Sequence, residues 1–405
     1  MTIKKSRGVQ PRQRAASLRQ LQRLKMARSV HSFVRGSTSQ FYGWLEGRSF
    51  RVIPNGPAVW ICGDCHVGNL GPVADAKGRV EIEIRDLDQT VIGNPAYDLI
   101  RLGLSLATSI RSSDLPGVTT ARMLEAMMLG YRQAFASGRD GMAVEHPKCL
   151  KIVMKRALGR TWKRLADERI GGVTPTIPLG KAFWPLLVRE RVAVERFFED
   201  SRVQRLVTSL KSRDDGAKVQ LLDAAFWNKG CSSLGSLRIA VLLRVGDVAH
   251  DHDGLCLIDI KEAGRALAPV SPRATMVGDN AQRVVDGAAH LSPFLGGRML
   301  SGSLLDRTVF LRELRPQDLK VELDHLDRAD AIDAAAFLAN VVGKAHARQM
   351  DATTRRDWCR QLQRKRLASV DAPSWLWSSV VNLIVLHEAA YLEHCRDYAL
   401  QHDSR

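Results

Sequence analysis

Polar residues at the ends of two predicted strands constrain this chain most strongly. Residues 63–69 read G-D-C-H-V-G-N and follow the apolar stretch 58–61. Further along, residues 80–84 alternate apolar and charged side chains and lead into R-D-L-D. Alternation of this kind is typical of a half-exposed strand, and a short apolar run is typical of a buried one. We therefore expect Asp64 and Asp86 to lie at strand ends, where site residues usually project.

The residue types at these strand ends suit phosphoryl transfer. That reaction needs an acceptor for the proton of the attacking hydroxyl and oxygen ligands for Mg²⁺ on the phosphates. Asp64 is the candidate base, Asn69 and Asp86 are candidate ligands of Mg²⁺, and Asp88 is a further candidate ligand. Asp, Gly and Asn also cluster in ordinary turns. The second acidic strand end, followed by the turn that leads to Asp98, is what favours a site.

These segments resemble the aminoglycoside phosphotransferase and choline kinase branch of the kinase-like fold, whose loop runs G-D-x-H-x-x-N. The chain is more closely similar to the bacterial family called domain of unknown function 2252. The resemblance implies a nucleotide, Mg²⁺ and a structural Asp98 that holds the backbone amides of the catalytic loop. Cys62 stands where the phosphotransferase loop often has a histidine. Further segments carry the resemblance, namely H-S-F-V-R-G (31–36), L-I-D-I-K-E-A (257–263), F-L-R-E-L (310–314) and K-A-H-A-R (344–348).

The same loop also contains C-x-x-C-H, from Cys62 to His66, which matches a haem-attachment signature and a redox pair. Covalent haem requires export, and we find no apolar stretch of signal-peptide length followed by a cleavage site near the start of the sequence. A redox pair is normally followed at once by a helix, whereas Gly68 and a second strand are expected here. Both alternatives are therefore disfavoured.

A second informative region contains a small-residue turn before a predicted β-hairpin over 239–245 and 255–260. Backbone amides of such a turn can approach phosphates, and a lysine on a neighbouring strand neutralises them. We expect Gly235 and Ser236 in the turn, and Lys261 at the end of the second strand, to bind phosphate. Asp286, on a predicted helix over 282–291, would orient Lys261.

The order of these features implies a circular permutation of a kinase-like chain, because the catalytic segments precede the nucleotide segments. We expect an α+β, two-lobed fold with a mostly helical large lobe and a small antiparallel-sheet lobe. Residues 310–314 would form the hinge, with Glu313 and Leu314 offering backbone groups to adenine. The four expected parts are the catalytic and metal segments of the large lobe (1–138), a helical connection (139–225), the small lobe with the hinge (226–325) and closing helices (326–405).

Composition limits the remaining choices. The chain has 405 residues, seven scattered cysteines and a formal net charge of +17. No apolar run reaches the length of a membrane span, and we expect a cytoplasmic protein with reduced thiols. Residues 1–28 hold nine basic residues and no acid. This segment is read as a solvated helix, because Leu18, Leu21 and Leu24 recur at helical spacing; a transit peptide and a nucleic-acid or membrane-surface arm are the alternatives.

The sequence therefore predicts an ATP- and Mg²⁺-dependent phosphotransferase that acts on a hydroxyl of an unidentified, small acceptor. One alternative is a degenerate kinase that binds the nucleotide but does not catalyse phosphoryl transfer. A related alternative is a nucleotidyl transferase that binds the nucleotide in the reversed orientation. Another is a nucleic-acid-binding protein that uses the basic N-terminal segment. His346 is expected to be a packed or capping residue rather than a catalyst.

Overall fold

The computed structural model describes most of the chain. The described residues are 8–48, 53–110, 117–136, 145–160, 176–209, 216–230, 235–246, 254–276, 278–315, 317–319, 326–363 and 372–403. Their helices are α1 (Arg14–Met26), α2 (Val30–Gly36), α3 (Thr38–Arg48), α4 (Ala96–Ser109), α5 (Gly117–Ala136), α6 (Lys148–Leu158), α7 (Val188–Phe197), α8 (Ser201–Thr208), α9 (Asn280–Leu291), α10 (Pro293–Gly296), α11 (Arg328–Ala347), α12 (Ala352–Leu362) and α13 (Ser374–Asp403). Their strands are β1 (Val59–Ile61), β2 (Leu70–Ala74), β3 (Val80–Ile84), β4 (Val91–Gly93), β5 (Phe183–Trp184), β6 (Val219–Trp227), β7 (Arg238–Val245), β8 (Leu255–Glu262), β9 (Met299–Leu304) and β10 (Arg307–Leu314).

The protein is a mixed α+β structure with antiparallel sheets. Six strands form one sheet in the order β5-β6-β7-β8-β10-β9, and two small ribbons pair β1 with β4 and β2 with β3. Helix α9 lies in the chain between β8 and β9. Within the described part of the chain, no helix combines the length and apolarity needed to cross a membrane.

The two faces of the six-stranded sheet differ in chemistry because side chains alternate along each strand. One face buries aliphatic residues such as Ile239, Val241 and Ile260 in a core that α7 and α8 cover. On the other face, Asp259 stands opposite Arg312 on β10, and Lys261 stands opposite Arg238 on β7. This second face therefore carries charged groups near one end of β8.

The helical part has its own, larger core. Helices α5 and α11 pack along most of their length, and α4 is buried along its whole length. Gly130 permits the close approach of α5 and α11, because a Cβ there would collide with the backbone of Ala336. The ribbons β1–β4 and β2–β3 pack on this core, so their connecting loops have a rigid base.

Helix α1 joins the two cores, and this places residues 14–26 of the basic N-terminal segment within the fold. Arg14 forms a buried ion pair with Glu190 of α7 at 2.8 Å, and Leu18 is buried in the core of the six-stranded sheet. The next helix, α2, packs on α4 and α13 instead. The predicted helix is thus confirmed, although its inner side is packed rather than solvated.

Most predicted elements near the motifs are present, whereas the strands β4, β5, β6 and β9 were not predicted. The hairpin is confirmed as β7 and β8, and the strand expected at 310–314 is part of β10. The sequence predicts mostly helix up to residue 225, but β6 begins at Val219. A register shift between Leu221 and Asp223 interrupts the alternation of side chains in β6, which hides the strand in the sequence.

Candidate functional site

A buried carboxylate fixes the loop that follows β1. Asp98, near the start of α4, accepts hydrogen bonds from the backbone N–H of Cys62 (2.7 Å) and of Gly63 (2.9 Å). This is the role expected for Asp98. Gly63 has a φ of +73°, and a Cβ there would collide with the carbonyl oxygen of Gln89. The loop therefore requires glycine at position 63, and its two backbone N–H groups require the two carboxylate oxygens of Asp98 as acceptors.

His346 of α11 supports Asp98 from the other side. Its Nε2 lies 3.1 Å from Oδ2 of Asp98, and its Nδ1 lies 2.9 Å from the hydroxyl of Tyr131. The indole of Trp358 in turn donates to that hydroxyl at 3.1 Å. His346 is fully buried, which agrees with the expectation of a packed residue.

Asp64 is buried and held by two donors. Nε of Arg101 donates to its Oδ1 at 2.9 Å, and the hydroxyl of Thr38 donates to its Oδ2 at 3.1 Å. Burial raises the pKa of Asp64, and the charge and hydrogen bond of Arg101 oppose that shift. The amide of Asn69 donates to the backbone carbonyl of Asp64 at 2.9 Å, so the two predicted residues are held within one turn of chain.

The carboxylates after β3 face the lysine of β8. The ammonium of Lys261 lies 3.5 Å from Oδ1 of Asp86 and also pairs with Oδ2 of Asp88. Desolvation opposes ionisation of Asp86, but Lys261 and then Arg312 hold its pKa well below the ordinary value. Burial and the charge of Asp86 raise the pKa of Asp88 to about 6, although Lys261 opposes this. The two carboxylates thus share one cation.

A cavity of about 360 Å³ opens beside these residues. Asn69 and Asp86 lie on one side of it, and Lys229 and Gly230, which follow β6, lie on the other. Lys25 of α1 closes part of the wall, because its ammonium donates to the carbonyl of Gly230 at 2.9 Å. The cavity therefore lies between the loop that carries Asp64 and the charged face of the six-stranded sheet.

A buried ion cluster forms the sheet side of the cavity. Nε of Arg238 donates to Asp259 at 2.8 Å, and Nε of Arg312 lies 3.5 Å from the same carboxylate. Arg312 also donates to the backbone carbonyl of Arg85 at 2.7 Å, which ties the sheet to the segment that carries Asp86. Burial opposes ionisation of Asp259, but the arginines, Arg238 first, hold its pKa well below the ordinary value.

Residues 14–397 match the family described as uncharacterised proteins conserved in bacteria, domain of unknown function 2252. The chain belongs to that family. Searches of curated proteins and of solved structures returned no match. The family assignment covers both cores and all of the site described above, and it assigns no activity.

The structure brings some of the predicted site residues of this DUF2252 protein together and separates others. Asn69 and Asp86 line the cavity, Lys261 pairs with Asp86 and Asp88, and Asp64 is hydrogen-bonded to Asn69 within one loop. Residues 231–234 of the expected turn lie outside the described residues. The neighbouring Gly235 and Ser236 are not among the described residues that line the cavity. Within the described chain, no group of three or more His, Cys, Asp or Glu side chains is arranged to hold a metal.

Asp286 does not orient Lys261 in this arrangement. Its carboxylate accepts from the side chain of Gln282 at 2.7 Å, one turn earlier on α9. Among the described residues, the ion-pair partners of Lys261 are Asp86 and Asp88. The two carboxylates that follow β3 satisfy the buried ammonium, whereas Asp286 is held on its own helix.

The expected hinge residues are more enclosed than a free hinge strand would be. The backbone carbonyl of Glu313 accepts from Arg298 at 2.7 Å. Leu314 is buried against Leu257 and Leu242 on the inner sheet. Strand β10 pairs with β8 as far as Leu314 but with β9 only as far as Arg312, so Glu313 and Leu314 pair with one neighbouring strand.

Several site residues were not predicted from the sequence, namely Arg35, Arg101, Arg238, Asp259 and Arg312. All of them come from segments distant from Asp64 in the chain. Arg35 and Arg312 lie within the family segments 31–36 and 310–314, and that was the only signal available for them. The Cys62 and Cys65 thiols are both buried and unbridged.

Proposed function

We propose that this protein is a Mg²⁺-dependent phosphotransferase that uses ATP as donor and a hydroxyl of a small molecule as acceptor. The contact of Lys261 with Asp86 carries this proposal. The two residues are 175 positions apart in the sequence, yet their charged groups lie 3.5 Å apart, and Asp86 also lines the cavity. A kinase site requires this proximity, because the lysine and the metal-binding aspartate contact neighbouring phosphates of one nucleotide.

The order of features in the six-stranded sheet supports the proposal. Gly230 and Gly235 lie in the chain between β6 and β7, Lys261 lies near the end of β8, and α9 precedes β9 and β10. In protein kinases a glycine-rich loop likewise precedes a lysine on the third strand, and a helix follows it. The catalytic segments come earlier in this chain, so the arrangement would be a circular permutation of a kinase-like fold.

The residues around the cavity fit a hydrated Mg²⁺ held by few protein ligands. Asp86 is ionised and faces the cavity with Asn69, and Oδ1 of Asp88 is buried without a hydrogen-bond partner among the described residues. These three residues would hold the ion, which would neutralise charge on the transferred phosphoryl group. Lys261 would contact the phosphates, and Asp64 would orient the acceptor hydroxyl and accept its proton.

A second candidate is nucleotidyl transfer, in which the nucleotide binds in the reversed orientation. The ion cluster on the sheet side of the cavity favours this candidate. A purine ring binds best in an apolar slot with a few placed hydrogen-bonding groups. The sheet wall of this cavity instead carries Arg238, Asp259 and Arg312. Such a wall suits phosphates, which would lie there if the base pointed outward.

Calorimetry with MgATP tests the shared part of both candidates. We expect the wild-type protein to bind ATP only with Mg²⁺, and Asp86→Asn to lose that dependence while its fold is retained. Asp333→Asn, an exposed change on α11, is the matched control and should bind as the wild type does. Equal affinity of wild type and Asp86→Asn for MgATP would remove Asp86 from the site.

Labelled ATP separates the two reactions. The protein is incubated with Mg²⁺, ATP and a mixture of bacterial small molecules, and the products are resolved. Phosphotransfer moves the γ-phosphate label to the acceptor and leaves ADP, whereas nucleotidyl transfer moves the α-phosphate label and releases pyrophosphate. Release of pyrophosphate would therefore refute the first candidate in favour of the second.

A further inference from the structure

The cavity carries more positive charge than a nucleotide with its metal requires. Its lining includes one carboxylate, that of Asp86, and seven cationic side chains: Lys25, Arg28, Arg35, Arg85, Lys229, Arg238 and Arg312. The nearby Asp259 serves two of these arginines. A bound Mg²⁺ ion would neutralise half of the charge of a triphosphate, and Lys261 would contact the phosphates. The lining therefore stays strongly cationic beside a bound Mg²⁺–nucleotide, and this favours the binding of a further anion.

Arg35 is the most informative of these cations. It ends α2, and its guanidinium lies on Gly68 of the catalytic loop, where an added Cβ would come within 3.1 Å of three guanidinium atoms. Its Nε is buried and has no hydrogen-bond partner in the described part of the chain. A buried cationic donor without an acceptor is costly unless a ligand supplies one.

Helix α2 is tied to the candidate base Asp64, so Arg35 of this helix lies on the same side of the cavity as Asp64. Arg101 donates from Nη2 to the carbonyl of Val34 at 2.7 Å and from Nε to Asp64 at 2.9 Å. One side chain thus fixes both α2 and Asp64. Lys261, by contrast, meets Asp86 and Asp88 from the sheet. In the proposed function, the donor phosphates lie next to Lys261 and the acceptor hydroxyl lies next to Asp64. Arg35 would therefore lie beside the acceptor.

We propose that Arg35 forms the centre of an anion subsite that binds a phosphate group of the acceptor substrate. The proposal rests on the phosphotransferase function and adds the substrate class, a phosphorylated small molecule with a free hydroxyl. The exposed Arg28 and the half-buried Lys25 also line the cavity. A polycationic acceptor, such as an aminoglycoside, would meet charge of its own sign throughout this cavity.

Phosphate binding to nucleotide-loaded protein tests the subsite. The protein is saturated with Mg²⁺ and a non-hydrolysable ATP analogue, and inorganic phosphate and glucose 6-phosphate are titrated in separate calorimetric runs. We expect both probes to bind the loaded wild type. Arg35→Ala should weaken this binding about 10- to 100-fold, which is the scale of a lost charge-assisted contact, while the affinity for the Mg²⁺–nucleotide changes less than about threefold.

Two further variants keep the result interpretable. Arg35→Lys retains the charge without the planar fork, so it should recover part of the affinity for phosphate. Arg19→Ala removes an exposed arginine of α1 that does not line the cavity, and it should bind both probes as the wild type does. Retained binding of the nucleotide analogue by every variant shows that the proteins are folded.

The outcomes distinguish this subsite from the nucleotide site itself. If the analogue binds but abolishes phosphate binding, the arginines serve the nucleotide's own phosphates and the subsite is refuted. Equal phosphate affinity of wild type and Arg35→Ala would also refute it. If the analogue fails to bind with Mg²⁺ while phosphate binds and depends on Arg35, the phosphotransferase proposal fails and the anion site stands alone.

Discussion

Replacement of Asp98 by asparagine tests how firmly the loop of residues 62–69 is held. The carboxylate accepts two backbone N–H groups and faces Nε2 of His346. Asparagine retains one acceptor oxygen and places an NH₂ group against a second donor. A hydrogen bond to a charged group is worth about 1.5–3 kcal/mol, and a buried unsatisfied donor costs about 1–3 kcal/mol. We therefore expect Asp98→Asn to lower the free energy of unfolding by about 3–5 kcal/mol.

Urea unfolding of Asp98→Asn, followed by tryptophan fluorescence and by circular dichroism, measures this loss. Coincident transitions from the two probes justify a single free energy. Asp357→Asn is the control, because Asp357 is exposed and its one ion-pair partner among the described residues is Arg360 on the same helix, and it should leave the midpoint unchanged. A loss below about 1 kcal/mol for Asp98→Asn would contradict the account of Asp98 as the anchor of the loop.

Three further predictions concern the site. Asp64→Asn should leave MgATP affinity nearly unchanged but lower turnover about 10²-fold or more, and an unchanged rate of ATP consumption with acceptor present would exclude Asp64 as the base. Gly63→Ala should displace the loop and abolish turnover, which a crystal structure of the variant would show, because φ is +73° and Gln89 blocks the Cβ. Asp259→Asn should cost about 3–5 kcal/mol at pH 7 in urea unfolding, because it leaves Arg238 uncompensated. The pKa of Asp259 is lowered by folding, so its contribution is present above the unfolded pKa, and the difference from wild type should shrink as pH falls below about 4.

The sequence predicted those parts of the site that depend on short segments. Asp64 and Asn69 lie five positions apart, and one loop geometry places them together. Lys261 was predicted because a small-residue turn and a hairpin precede it. The cluster of Asp259 with its arginines depends instead on cross-strand register, which pairs Asp259 with Arg312 over 53 positions of chain. No local pattern contains that pairing.

The same distinction explains the differences between prediction and structure around the six-stranded sheet. Asp286 lies on the predicted helix, but the choice of partner for Lys261 depends on how closely the segment with Asp86 and Asp88 approaches β8. Strand β6 was not predicted because a register shift breaks its alternation. Local propensity thus fixes the elements, whereas electrostatic partners follow from packing between distant segments.

The shared use of Asp86 has a consequence for how a metal and a nucleotide would bind. Asp86 and Asp88 neutralise the buried ammonium of Lys261. A metal ion that took both carboxylates alone would leave this ammonium without a counter-charge, which is costly in a buried position. A nucleotide phosphate supplies the replacement anion. In the proposed site, Mg²⁺ alone should therefore bind weakly and the Mg²⁺–nucleotide complex tightly.

The coupling is reciprocal, so Lys261→Met should strengthen the binding of Mg²⁺ alone while it weakens that of MgATP. Calorimetric titration of both ligands into both proteins measures the coupling, and parallel changes in the two affinities would contradict it.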